Sequence, residues 1–210
     1  MKVFVTGSEG QLGRTLTETL PGTVDLAGGN LPELDITDLP ALEAQFAAEQ
    51  PDFVINAAAY TAVDKAESEP EIARSVNVDG ARNVAQAARE AGARVIHIST
   101  DFVFDGGKGE PYTPDDVPAP VSVYGKTKLE GVTAVREATD GDAIVIRTAW
   151  LYSPFGHNFV KTMLRLLGER EDISVVADQY GTPTWAGSLA EVIWSAIDQD
   201  LSGGVYHWTD

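Results

Sequence analysis

Apolar positions along the chain follow two alternating rhythms. Short runs rich in Val, Ile and Phe, such as KVFVT (Lys2–Thr6), FVINAAA (Phe53–Ala59), RVIHIST (Arg94–Thr100) and AIVIRTAWLY (Ala143–Tyr152), are separated by longer stretches with helical spacing. Strand and helix alternating in this way are the pattern of βαβ units around a parallel sheet. Helices are predicted over Gln11–Leu20, over a segment capped by Thr37 or Asp38 with Pro40 in its first turn, over Ser188–Asp198, and over an amphipathic stretch from Asn158 to Glu169. Pro70–Gly92 reads as one long helix that opens with Pro and Glu and closes at glycine. Val24–Ala27 is a weak second strand, Ile173–Asp178 a short one, and Gly204–Trp208 another. A loop rich in Gly, Pro and Asp fills the stretch from Thr100 to Pro120 and is too long for a plain connector, so it is a candidate functional segment.

At 210 residues and 43% hydrophobic content the chain can bury one dominant core. No run approaches the roughly 18 apolar residues of a membrane span, and the N-terminus lacks the long apolar core of a signal peptide. A cytoplasmic protein with no membrane partner is the expectation. The absence of cysteine excludes a disulfide framework, a thiolate nucleophile and a zinc–thiolate centre, and the three histidines (His97, His157 and His207) are scattered, so no metal site is expected. A formal net charge of −17 argues against a nucleic-acid partner, because polyanion binding rests on neutralising phosphates with Lys and Arg. The same charge suits either a high-salt proteome or plain solubility.

TGSEGQLG places Gly7, Gly10 and Gly13 at three-residue spacing between the first strand and the first helix. That differs by one residue from G-x-G-x-x-G but meets the same needs: a tight turn, close approach of backbone to a pyrophosphate, and close helix–strand packing. Alone it is also compatible with an ordinary glycine-rich turn; its position at the first strand–helix junction favours a dinucleotide. The second strand runs into Gly28, Gly29 and Asn30 with no carboxylate to grip a ribose 2′-hydroxyl, and Arg14 could meet a 2′-phosphate. NADPH is therefore the expected cofactor, with NADH as the alternative.

Tyr124 and Lys128 lie four residues apart in SVYGKTKLEG and share a face if that segment is helical. Such a pair is often only a solvated surface pair. Here it follows the glycine turn and the long loop, and the strand before that loop ends in Ser99 and Thr100, at the edge where open parallel sheets bind ligands. Reducing a ketone with hydride develops an alkoxide that needs a proton. A phenol of pKa near about 10 is a poor donor unless its anion is stabilised. Lys128 can supply that stabilisation by charge, and Thr100 can hydrogen-bond the carbonyl oxygen.

Taken in order, TGSEGQLG, NAAAYTAVDKAE, ISTDFVFDG, YGKTKLEG, IRTAWLY and NFVKTMLRL resemble the extended short-chain dehydrogenase/reductases and, within them, the dTDP-4-dehydrorhamnose reductase family. The resemblance spans essentially the whole chain. It implies an α/β Rossmann-type, doubly wound parallel sheet, with residues 1–150 as the dinucleotide-binding domain and 151–210 as part of a substrate lobe interleaved with the last Rossmann elements. It implies Thr100, Tyr124 and Lys128 as the catalytic trio. Gly7, Gly10, Gln11, Leu12 and Gly13 would line the diphosphate turn, Asp35 and Ile36 would lie by the adenine, and Ala57, Ala58, Ala59 and Tyr60 would run along the cofactor, which Tyr124 and Lys128 would also touch. Phe102, Trp150 and Asn158 would face a nucleotide-sugar substrate.

Two departures qualify it. Phe102 stands where these reductases usually have tyrosine, and GGVYHWTD resembles the strand after which the family continues with further helices of the substrate lobe. The implied lobe is therefore incomplete and the sugar pocket open on one side. The sugar-nucleotide dehydratases of the same superfamily carry Thr-Asp-Glu after the fourth strand, where this chain has Phe102, so dehydration is disfavoured. The implied activity is NADPH-dependent reduction of the 4-keto group of a dTDP-6-deoxyhexulose, in dTDP-L-rhamnose synthesis. The alternatives are a general ketone reductase with a truncated lobe and a non-catalytic NADP-binding regulatory subunit, since regulatory subunits of methionine adenosyltransferase resemble the same family. The sequence leaves the oligomeric state open; a homodimer is compatible with it.

Overall fold

The structure, a computed structural model, describes residues 1–210. Its elements in chain order are β1 (Lys2–Thr6), α1 (Gln11–Glu18), β2 (Asp25–Gly29), α2 (Leu39–Glu49), β3 (Phe53–Asn56), α3 (Val63–Ala66), α4 (Pro70–Arg74), α5 (Ala81–Glu90), β4 (Arg94–Thr100), α6 (Val123–Ala138), β5 (Ile144–Thr148), β6 (Leu151–Tyr152), α7 (Phe159–Glu169), β7 (Thr184–Trp185), α8 (Ala186–Asp198) and β8 (Gly204–His207). Six strands form one sheet in the order β2-β1-β3-β4-β5-β8, with every neighbouring pair parallel. The chain leaves β1 toward one edge and returns to the other side of it at β3, so the sheet changes winding direction between those strands, where open α/β sheets bind ligands.

Strands covered on both faces run apolar through their centres, as Val3–Val5, Phe53–Ile55 and Ile144–Ile146 do in β1, β3 and β5. One face packs Phe4, Val54 and Val95 against Leu42 and Phe46 of α2 and Val84 and Ala88 of α5. Phe4 and Phe46 meet edge to face at 5.1 Å. The other face packs Val3, Val5, Ile55, Ile96, Ile144 and Ile146 against Leu12 and Leu16 of α1 and Leu189, Ile193 and Ile197 of α8. Each fully buried aliphatic chain contributes about 1.5–3 kcal/mol.

Several predicted elements differ in extent. β3 stops at Asn56 instead of reaching Ala59, because the chain turns there to run against Gly7. The helix expected over Pro70–Gly92 follows a continuous helical path, but Ser75–Gly80 is π-wound. The extension expected after β5 breaks at Trp150, whose φ is 46°, and resumes as β6, paired with β7 in a separate two-stranded ribbon. No strand forms over Ile173–Asp178; Val175 and Val176 are exposed with no partner strand beside them. Asp38, not Thr37, caps α2, its Oδ1 accepting from the Ala41 amide at 3.1 Å. Asp64 and Lys65 lie on the short helix α3. Trp194 is buried and donates to Thr19 Oγ1 at 3.1 Å, whereas Trp185 and Trp208 are exposed.

The long loop is ordered by stacking rather than by secondary structure. Phe104 stacks on Tyr112 at 4.2 Å, the Arg147 guanidinium lies over Phe104 at 5.2 Å and the Lys108 ammonium over Tyr112 at 5.7 Å. Lys108 also pairs with Asp116 at 2.6 Å.

Candidate active site

The turn after β1 requires glycine on steric grounds. Gly7 has φ 72°, and a Cβ there would lie 2.8 Å from the Ala58 amide nitrogen; one on Gly13 would lie 2.5 Å from the carbonyl oxygens of Gly7 and Ser8. The Gly7 amide donates to the Gly29 oxygen at 2.9 Å and the Gly10 amide to the Gly7 oxygen at 3.0 Å, which closes the turn. α1 then starts with no side-chain cap. The first-turn amides of Gln11, Leu12 and Gly13 have no intrahelical acceptor, and the helix dipole adds positive potential at that point. A narrow glycine cradle with free amide donors at the sheet's switch point fits the diphosphate of a dinucleotide.

Beyond β2, Asp35 is exposed and its carboxylate accepts from the Thr37 amide and hydroxyl, both at 2.8 Å. Ile36 is buried with its side chain against Gly80, and its carbonyl accepts from Asn83 Nδ2 at 3.2 Å. Arg14, expected to be available for a 2′-phosphate, pairs with Glu9 at 2.6 Å and sits over the Phe155 ring at 5.8 Å.

Ala57–Tyr60 leaves β3 as a half-buried run. Its end is held by Asn77, from the π-wound turn: Asn77 Oδ1 accepts from the Tyr60 amide at 2.9 Å, and Nδ2 donates to the Tyr60 carbonyl at 3.2 Å and to Thr127 Oγ1 at 3.1 Å. A sequence offers little to find this residue by. Its one signal is an asparagine, a weak helix former, in the middle of a helical run.

β4 delivers Thr100, whose Oγ1 accepts from the Phe102 amide at 3.2 Å and so starts the 3-10 turn Asp101–Val103. α6 begins at Ser122, whose Oγ accepts from the Gly125 amide at 3.0 Å, while Glu67 takes the Val123 amide at 2.8 Å. Two glycines let α6 press inward: a Cβ on Gly125 would collide with the Phe102 carbonyl, and one on Gly131 with the Asn77 carbonyl. The helical spacing then turns Tyr124 and Lys128 together into the protein, 8% and 3% exposed. Thr100 lies beside the phenol, and Phe102 meets the Tyr124 ring edge-on at 5.5 Å.

The electrostatics differ from the simple expectation of an acidified tyrosine. Burial pushes the Tyr124 phenol up to about 12; Thr100 opposes this and the Asp101 carboxylate adds to it. Burial brings Lys128 down to about 8, and its ammonium donates to the Ile98 carbonyl at 2.7 Å. The phenol therefore keeps its proton throughout the neutral range, beside a lysine that titrates just above it.

The structure thus brings Thr100, Phe102, Tyr124 and Lys128 together and sets the glycine turn at the same C-terminal edge of the sheet. Trp150 lies just past β5, 44% exposed, with Gly181 against its indole. Asn158 caps α7, and its amide nitrogen is engaged by Gln11 and Ser153. Neither Ser153 nor the Gln11 side chain stood out in the sequence.

Residues 1–210 match the family described as the RmlD substrate binding domain. Among curated relatives, a dTDP-4-dehydrorhamnose reductase of Streptomyces griseus is 44% identical, over 99% of this chain and 70% of its own length. One from Escherichia coli is 40% identical, over 99% and 72%. The solved dTDP-4-dehydrorhamnose reductase from Bacillus anthracis, in complex with NADP, superposes with a TM-score of 0.96 at 42% identity, over 100% of this chain and 74% of that one.

Proposed function

The chain belongs to the RmlD substrate binding domain family, and from that membership we propose that it is an NADPH-dependent reductase of the 4-keto group of a dTDP-6-deoxyhexulose, acting in dTDP-L-rhamnose synthesis. The observation that carries this reading is the buried Tyr124–Lys128 pair facing Thr100 beside an uncapped glycine cradle. The NADP-bound relative supports the choice of cofactor.

In this reading the backbone amides of Gln11 and Leu12 hold the diphosphate, the Ala57–Tyr60 run lies along the cofactor, and Asp35 and Ile36 flank the adenine. The bound nicotinamide supplies hydride to the C4 carbonyl carbon. Thr100 donates to the carbonyl oxygen and orients it. Tyr124, held protonated by burial, transfers its proton to that oxygen as negative charge develops there, and the Lys128 cation offsets the charge left on the phenolate. Desolvation strengthens both effects. Phe102 and Trp150 face the sugar nucleotide, with Asn158 setting the start of the segment beside it. Residues 1–150 serve the dinucleotide and much of 151–210 the substrate. No helix is long and apolar enough to cross a membrane. A cytoplasmic location and a homodimer complete the proposal.

NADPH consumption with the dTDP-keto sugar beside a panel of simple ketones tests it. The expected result is turnover of the sugar nucleotide far above any simple ketone. Tyr124→Phe is expected to lower turnover by about 10²–10⁴-fold while the variant still binds NADPH. Equal turnover of simple ketones would point to a general ketone reductase, and retained activity in the variant would remove Tyr124 from the mechanism.

A further inference from the structure

None of the eleven residues of α7 is buried, and Phe159, Leu164 and Leu167 are exposed. What fixes the start of this helix is polar. Asn158 Oδ1 accepts from the Lys161 amide at 3.0 Å and so caps the helix. Its Nδ2 spends both hydrogens, one on the Ser153 carbonyl at 2.8 Å and one on Gln11 Oε1 at 2.9 Å. Gln11 Oε1 also lies 3.1 Å from Ser153 Oγ, which shares its single hydrogen between this oxygen and the Phe155 carbonyl at 3.0 Å. Apolar contact reinforces the attachment: Gly156, with φ 57°, lies so close that a Cβ would come 3.1 Å from Gln11 Cγ, and Phe155 lies beneath Arg14. Residues 153–158 therefore rest as a strap across the first turn of α1.

Gln11 has two faces in this arrangement. Its backbone amide is a first-turn donor of the glycine cradle, and its side-chain oxygen receives both polar groups of the strap. We propose that Gln11 is a positioning residue that couples cofactor binding to the placement of α7, and through it to the nucleotide-sugar side of the site. This rests on the reductase reading above. A ligand anion that orders the α1 first turn also orders the Gln11 side chain, and the Asn158 cap follows. Anything that binds against α7 then meets a helix already set in place, and the saved ordering cost appears as tighter binding. By linkage the effect is reciprocal.

The chemistry of the bridge allows conservative controls. Gln11→Glu keeps an acceptor for Asn158 and Ser153, Gln11→Met keeps the length without an acceptor, and Asn158→Asp keeps the α7 cap while removing the Nδ2 donor. Hydrogen exchange of the α7 first-turn amides, in the full chain with and without saturating NADPH, reads the coupling directly. Slower exchange by several-fold on adding NADPH is expected for the natural protein and Gln11→Glu, and no change for Gln11→Met and Asn158→Asp. Calorimetric titration of dTDP should likewise show tighter binding with NADPH present, by about fivefold or more in the natural protein and near unity in Gln11→Met. If NADPH binds but leaves α7 exchange unchanged, or Gln11→Met responds as the natural protein does, the coupling is overturned and the reductase reading stands. Failure to bind NADPH at all would overturn both.

Discussion

The Lys128 ammonium donates to the Ile98 carbonyl oxygen at 2.7 Å, a main-chain acceptor on β4 rather than the phenol of Tyr124 one helical turn away. The lysine is thus held by the strand that also delivers Thr100, and its charge is kept at a cost in solvation. Replacing it with Met should stabilise the fold while abolishing turnover. A depression from 10.5 to about 8 corresponds to about 3 kcal/mol against the charged form, from which about 1 kcal/mol is lost with the Ile98 hydrogen bond. The cost is full below pH 8, is relieved as the pH rises from about 8 toward 10.5, and is absent above. Chemical denaturation of Lys128→Met at pH 7 and pH 10 should show its advantage shrinking at the higher pH; a variant less stable than the natural protein at pH 7 would contradict the burial argument.

The same titration sets the alkaline limit of activity. Tyr124, with its pKa raised to about 12, stays protonated across this range, so loss of the Lys128 charge governs. Turnover should be level near neutrality and decline as pH passes about 8. A pH–rate profile flat to pH 10 would show that the charge is not needed.

Acid stability depends on histidines held neutral. Arg147 Nη1 lies 3.3 Å from His207 Nε2, so that nitrogen accepts, and Nδ1 faces the Tyr112 carbonyl at 3.1 Å. Burial first, opposed by the Tyr112 carbonyl, then the Arg147 charge, partly offset by Asp116, hold His207 below its ordinary value. Between that lowered value and 6.5 the unfolded chain binds more protons, so stability falls as the pH drops through this window. Buried His97, held well below 6.5, has the same sign. His207→Gln should flatten part of the decline in Tm between pH 6.5 and 4.5, leaving the His97 share; an unchanged slope would remove His207 from the account.

Gly13→Ala places a Cβ 2.5 Å from two main-chain oxygens that no side-chain rotation can relieve. It should cost about 1–3 kcal/mol and weaken NADPH binding at least tenfold by widening the turn. Fluorescence titration of NADPH checks this, and wild-type affinity would show that the turn adapts.

How much of this was legible in advance follows a physical divide. The parallel sheet could be read because strands covered on both faces leave unbroken apolar runs such as Val3–Val5 and Ile144–Ile146. The glycine turn and the Tyr124–Lys128 face follow from local geometry, which periodicity carries. Asn77 and Gln11 act through partners 17 and 147 positions away, a distance at which local pattern says nothing. Trp150 illustrates the limit within a motif: its left-handed φ, unusual for a bulky residue, turns an expected strand extension into a break. The raised Tyr124 pKa could not be read from residue types at all, since it is set by how completely the surrounding chain excludes water.

The π-wound turn at Ser75–Gly80 also carries a register. Each residue of an α-helix advances about 100°, so deleting one residue before Asn77 and letting the turn relax to α-winding would leave a sound helix with the asparagine swung away from Tyr60 and Thr127. Such a shortened chain would lose the three bonds of a buried amide and, with them, the placement of Tyr60. That single surplus residue is what aims the Asn77 amide at Tyr60 and Thr127, so the irregularity itself does the orienting.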